Sequence, residues 1–172
     1  MSIDIVLLVF LVLFISTTVR ATFGFGDALI AMPLLSMIIG IKTALPIVAL
    51  VAIVIAVYIL TKTWHNIEFK NHIVLIVSAI AGIPVGLIFL RDTDDTIVKL
   101  VLAAILIFFG LYRVFRPQLF HLKNDRYSLF FGFISGILGG AYNTNGPPIV
   151  IYGAMRRWEP RHFRTILQGV YL

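Results

Sequence analysis

The sequence has no cysteine, so disulfides and thiolate metal sites are excluded and the redox compartment cannot be read from it. It is also poor in charge. Of its 172 residues only 13% are charged, while 60% are hydrophobic. Soluble domains average about 25% charged residues, and a soluble fold this apolar would have no surface to show water. There is no P-loop and no Ser-His-Asp set, and Gly24-Phe25-Gly26 lacks the strand and the third glycine of a dinucleotide turn. With no catalytic constellation the chain does not read as an enzyme, and no cofactor is expected. His65, His72, His121 and His162 fall in polar stretches without i,i+4 pairing or an acidic partner, so no metal site is expected. The net charge of +6 does not imply nucleic acid; basic residues of membrane proteins gather in cytoplasmic loops.

What is present is a set of long uncharged runs: Ala44–Thr61, Ile73–Leu90 and Tyr127–Met155. About 20 apolar residues at about 1.5 Å each cross the hydrocarbon of a bilayer. The expected fold is therefore all-α: a polytopic transmembrane bundle with the lipid bilayer as its surroundings. Ile3–Val19 reads as the first membrane helix; it has no basic leader and no small-residue cleavage site. Further helices are expected at Ala44–Leu60, with Pro46 in the first turn, at Ile73–Leu90, with Gly82, Pro84 and Gly86 at its centre, and at Ile97–Tyr112. The central cluster either kinks its helix or lets another approach closely. Trp64 and Trp158 sit at helix ends, where interfacial anchoring is expected.

Two regions are not simple spans. Ile3–Ile41 would be about 58 Å long as one helix, far more than a crossing needs. Gly24, Gly26 and Pro33 are expected to break it. Tyr127–Met155 has the same plan, an apolar run, a glycine-rich break, Pro147-Pro148, and a second apolar run. Shifting the chain by 114 residues overlays Gly26 on Gly140, Pro33 on Pro147, Pro46 on Pro160 and Lys42 on Arg156. This points to a duplication: a first repeat over 1–112, a basic cytoplasmic loop over 113–126, and a partial second repeat over 127–172. At that shift Leu172 corresponds to Tyr58 (172 − 114 = 58), so the second copy is expected to be incomplete, either a fragment or a short chain that pairs with another subunit or oligomerises.

The charges give a topology. Arg113–Arg126 and Arg156–Arg164 are basic, Thr61–His72 is weakly so, and Arg91–Asp95 is acidic. Placing the first three inside and the acidic loop outside requires each broken region to return to the side it started from. The second copy is then inverted relative to the first, as in transporters with broken helices at the repeat interface, and the N-terminus lies outside.

Non-helical backbone at membrane depth is tolerated where it is buried in protein or lines a cavity. Broken helices also present orphan N–H groups and a positive dipole end, which suit an anion. The expected substrate-binding residues are Gly24, Gly26 and Pro33 from the first break, with Gly139, Gly140, Asn143, Thr144, Asn145, Gly146 and Pro147 from the second. Asp27 is the one acid expected within the membrane, where carboxylates are functional by default. It is a candidate for carrying a coupling proton or for pairing with Arg20, itself either an anion guide or an interfacial anchor.

The opening helix running into Thr22-Phe23-Gly24-Phe25-Gly26 with Pro33 downstream, together with Gly136–Pro148 and its Asn145-Gly146-Pro147-Pro148, resembles the sulfite exporter TauE/SafE family. That family has a duplicated core with a Gly-rich motif and a following proline in each half. The resemblance implies transport of small sulfur-containing anions, such as sulfite or sulfoacetate, across the bacterial inner membrane. Two features depart from the family pattern: Asp27 stands where small residues are more usual, and the chain is expected to stop well short of the family's usual seven or eight helices. The resulting expectation is a secondary transporter of a small anion working by alternating access. The rivals are an anion channel with the same motifs lining a pore, and a non-transporting scaffold or assembly protein.

Overall fold

The computed structural model describes residues 3–63, 73–115, 122, 124, 126–159, 163, 166, 167, 169 and 170. Its helices are α1 (Ile3–Phe23), α2 (Asp27–Ile38), α3 (Ile41–Thr63), α4 (Ile73–Asp92), α5 (Asp95–Phe115), α6 (Tyr127–Tyr142) and α7 (Gly146–Arg156); no strand occurs among the described residues. Four of them, α1, α3, α4 and α5, are long and apolar enough to cross a membrane. They run a few residues past the apolar segments, into charged ends such as Asp95 and Arg91. Hydrogen bonding continues where hydropathy stops.

Residue size is sorted in the sense a bilayer favours. Phe14 is 72% exposed and Val54 68%, while Ala44, Ala56 and Ala31 are 0% exposed. In water the large side chains would be the buried ones. Lipid tails are as apolar as leucine, so helices associate through close packing of small residues instead.

The closest packing joins α4 to α6. Gly132, Gly136 and Gly140 recur every fourth residue along one face of α6 and meet the backbone of Leu75, Ala79 and Ile83. All three pairs are 57 apart in number (132 − 75, 136 − 79, 140 − 83), so the two helices run parallel in fixed register. Gly82 and Gly86 answer from α4, against Phe133 and Ile137. A Cβ at any of the five would run into the partner's backbone. The Gly82-Pro84-Gly86 cluster therefore serves close approach, and α4 continues through Pro84 as one helix.

Each broken region is a hairpin. After the Gly24–Gly26 turn α2 folds back along α1, with Ala28, Ala31, Met32 and Leu35 in one apolar cluster with Val9 and Val12. In the second region Phe131 of α6 stacks on Tyr152 of α7 with ring centroids 5.2 Å apart. The far end of α7 returns to the residues preceding α6: Leu122 N–H donates to Met155 O at 3.1 Å, and Arg156 donates to Leu122 O at 2.9 Å. At the opposite end of the bundle Lys42 of α3 meets Asp95 of α5 at 3.1 Å. Because α4 and α6 are parallel, the far ends of α2 and α7 lie on opposite sides. The 12 residues of α2 and the 11 of α7 rise about 18 Å and about 16 Å. Their sum is close to the roughly 30 Å of bilayer hydrocarbon.

Several expectations need correction. Pro33 breaks nothing: α2 runs through it, and the glycines alone end α1. A proline removes one helical hydrogen bond, and the packing of α2 on α1 and α3 outweighs that loss. Pro46 lies inside α3, beyond its first turn, because α3 begins at Ile41. The 114-residue shift does not overlay equivalent places. Gly26 caps the start of α2, whereas Gly140 lies within α6; Pro33 is mid-helix, whereas Pro147 is in the first turn of α7. The two post-break helices begin 119 apart (146 − 27). Pro160, Trp64 and the four histidines lie outside the described residues. Trp158, expected as an interfacial anchor, packs edge-on against Tyr152 at 5.2 Å.

Candidate functional site

The first break is made by two left-handed glycines. Gly24, at φ 84°, donates to Arg20 O at 2.7 Å and ends α1. Gly26, at φ 101°, caps α2, and its carbonyl accepts from Ile30 N–H at 3.3 Å. A residue with a Cβ is strained at such a φ. The first N–H groups of α2, those of Asp27, Ala28 and Leu29, have no acceptor within the helix. Asp27 heads this turn, where a carboxylate is favoured by the helix dipole. Its Oδ2 accepts from the Arg20 guanidinium at 2.8 Å, with the Arg20 side chain 0% and the Asp27 side chain 6% exposed. Asp27 Oδ1 is buried without a hydrogen-bond partner among the described residues.

The second break turns at Asn143, at φ 54°, a conformation asparagine tolerates better than most residues. Asn143 N–H donates to Gly139 O at 2.8 Å and Thr144 N–H to Leu138 O at 3.2 Å, which satisfies carbonyls at the end of α6. The Thr144 hydroxyl donates to Tyr142 O at 2.9 Å. Asn145 caps α7 by position. Its carbonyl accepts from the Ser135 hydroxyl at 2.8 Å, and its Nδ2 donates to Val170 O at 3.2 Å. Pro147 and Pro148 carry no N–H, so Gly146 is left as the orphan donor of this first turn. The Tyr142 hydroxyl, Asn143 Nδ2 and Asn145 Oδ1 are buried and lack hydrogen-bond partners among the described residues.

The breaks adjoin. Gly26, Asp27, Ala28 and Leu29 face Thr144, Gly146 and Pro147 across a narrow gap with no room for a water molecule. Phe25 lines the same gap and lies edge-on to Phe163 at 6.2 Å. Two helix N-termini from separate hairpins thus point at one place. Behind Pro147 and Pro148 lies a cavity of about 470 Å³ against Ile105, Phe109 and Leu138, whose apolar lining suits no anion.

The structure brings together Gly26, Asp27, Thr144, Gly146 and Pro147, with Arg20 behind Asp27 and with Asn143 and Asn145 beside the gap. Gly24 belongs to the turn rather than the lining. Gly139 lies against the Asn145 side chain, Gly140 is spent on packing against Ile83, and Pro33 sits along α2 away from the gap. Sequence reasoning missed Phe25, the N–H groups of Ala28 and Leu29, and Ser135. Of these only Ser135 carries a signal, as a hydroxyl inside an apolar run one residue before a glycine.

The family model for the sulfite exporter TauE/SafE matches residues 8–171, nearly the whole chain. No curated protein and no solved structure matches it. The matched span takes in both hairpins and the three long helices between them. The chain belongs to the sulfite exporter TauE/SafE family, whose members move sulfur-containing anions across membranes.

Proposed function

We propose that this chain carries a small sulfur-containing anion of the sulfite or sulfoacetate kind, by alternating access, through the place where the two breaks meet. The observation that carries this reading is the convergence of the α2 and α7 N-termini on one gap. Orphan N–H groups and two positive dipole ends stabilise an anion there. Asn143 Nδ2 and the Tyr142 hydroxyl are donors within the same break, and Asn145 Nδ2 becomes one when it leaves Val170 O. The gap is closed to water, which favours a carrier that opens to one side at a time over a standing pore.

The two hairpins enter from opposite sides, as an inverted pair does. With Arg126 and Arg156 on the cytoplasmic side, α7 opens inward and α2 outward, in a bacterial inner membrane. The test is efflux of labelled sulfite and sulfoacetate from proteoliposomes. Asn145→Ala and Gly26→Val are expected to lower flux at least tenfold while Lys42→Ala leaves it unchanged. Unaltered flux in Asn145→Ala and Gly26→Val would remove the site, and absence of flux for every sulfur anion would remove the function.

A further inference from the structure

Among the described residues, Arg20 and Asp27 are the only charged side chains that are buried, and they bind each other at 2.8 Å beside the gap. The α3 residues buried nearby in the bundle are Ile41, Ala44 and Val48, and those of α5 are Val98 and Leu102, all apolar. The α6–α7 break offers the neutral groups of Asn143, Thr144 and Asn145 and one titratable group, the Tyr142 hydroxyl. Among the described residues the resting site thus holds one cation and one carboxylate, which sum to zero.

An incoming anion changes that sum. Resting on the N-terminus of α2, it competes with Asp27 for the same dipole end and for the Arg20 guanidinium. A site holding Arg20, an ionised Asp27 and the anion has one uncompensated negative charge, and burying such a charge is far more costly than burying a pair. One positive charge must accompany each singly charged anion. Asp27 has the place for it: Oδ2 faces Arg20, while Oδ1 is buried with no hydrogen-bond partner among the described residues, on a residue that lines the gap.

We infer that Asp27 is the proton site of the transport cycle: a proton from the loading side binds the Asp27 carboxylate as the anion takes Asp27's place on Arg20, and both leave together on the other side. This rests on the reading of the gap as the anion's site. The step conserves charge and atoms, since one proton and one anion enter and the same two leave. Asp27 is in this sense a resident stand-in for the substrate. Net movement then follows the combined gradients of anion and proton.

The experiment uses the full chain in proteoliposomes with labelled methanesulfonate, a singly charged sulfur anion that does not titrate near neutral pH, and a pH-sensitive dye inside the vesicles. In the unmodified protein an imposed pH gradient is expected to drive methanesulfonate accumulation several-fold above equilibrium, with matching proton movement. Asp27→Asn is expected to keep downhill exchange and to lose accumulation and proton movement. Should Asp27→Asn fold poorly with Arg20 left unpaired, the double variant Arg20→Gln/Asp27→Asn removes both charges and is expected to show no response to the pH gradient. Accumulation that persists in either variant would overturn the inference, as would a wild type that transports but ignores the gradient. A wild type that moves no sulfur anion at all would overturn the transport reading itself, a distinct outcome.

Discussion

The Ser135 hydroxyl donates to the carbonyl oxygen of Asn145 at 2.8 Å, across ten residues of chain and entirely within the buried part of the second hairpin. It ties the middle of α6 to the cap of α7 and so fixes where the break lies. Ser135→Ala removes the donor and leaves a buried carbonyl less satisfied. The expected cost is about 1–2 kcal/mol, read as a lower melting temperature in detergent. Because the cap is loosened, the apparent KM for the anion is expected to rise more than the maximal rate falls.

The charge of the second break is testable at Asn145 itself. Asn145→Asp has nearly the same shape but puts a carboxylate at the gap. It is expected to suppress anion flux more than Asn145→Ala does, while keeping the Ser135 hydrogen bond, which goes to the backbone. Equal flux in the two variants would show that this side chain is not near the anion.

Gly136 and Gly110 make a paired test of helix packing. A Cβ at Gly136 would meet the backbone of Ala79, whereas one at Gly110 meets nothing within 4 Å. Gly136→Val is expected to separate α4 from α6 and to reduce the yield of monodisperse protein severely. Gly110→Ala is expected to be neutral or slightly stabilising, since alanine is favoured over glycine inside helices by up to about 1 kcal/mol. Size-exclusion profiles and melting in the same detergent distinguish the two.

The two ion pairs should behave oppositely. Lys42–Asp95 is an exposed pair, its side chains 58% and 48% accessible, and Lys42→Ala is expected to cost under about 0.5 kcal/mol. Arg20→Gln strands a buried carboxylate, and breaking such a pair costs roughly 3–5 kcal/mol. Adding Asp27→Asn to Arg20→Gln is expected to recover much of that loss. A double-mutant cycle on thermal unfolding reads the coupling directly.

The spans were legible because charge is so rare that its gaps mark helices, and the hairpins because the basic stretches left only one consistent folding of the broken regions. Other features could not be read. Nothing along the chain says that Gly132, Gly136 and Gly140 meet Leu75, Ala79 and Ile83, since small residues suit several partners equally. Pro33 and Gly140 looked like parts of the breaks because backbone-special residues invite that reading; tertiary packing uses one inside a helix and the other as a contact surface. Asp27 was open between carrying a coupling proton and pairing with Arg20, and only the folded chain shows the pairing, at 2.8 Å.

The glycine seam between α4 and α6 has a mechanical consequence. Two helices whose backbones touch in parallel over three turns cannot slide or tilt apart without losing their whole contact. They act as one strut, although 34 residues separate the end of α4 from the start of α6 (127 − 92 − 1). One packed unit thus joins a helix from each half of the sequence. The opening proposed for the gap would have to leave this strut whole and move other parts of the chain.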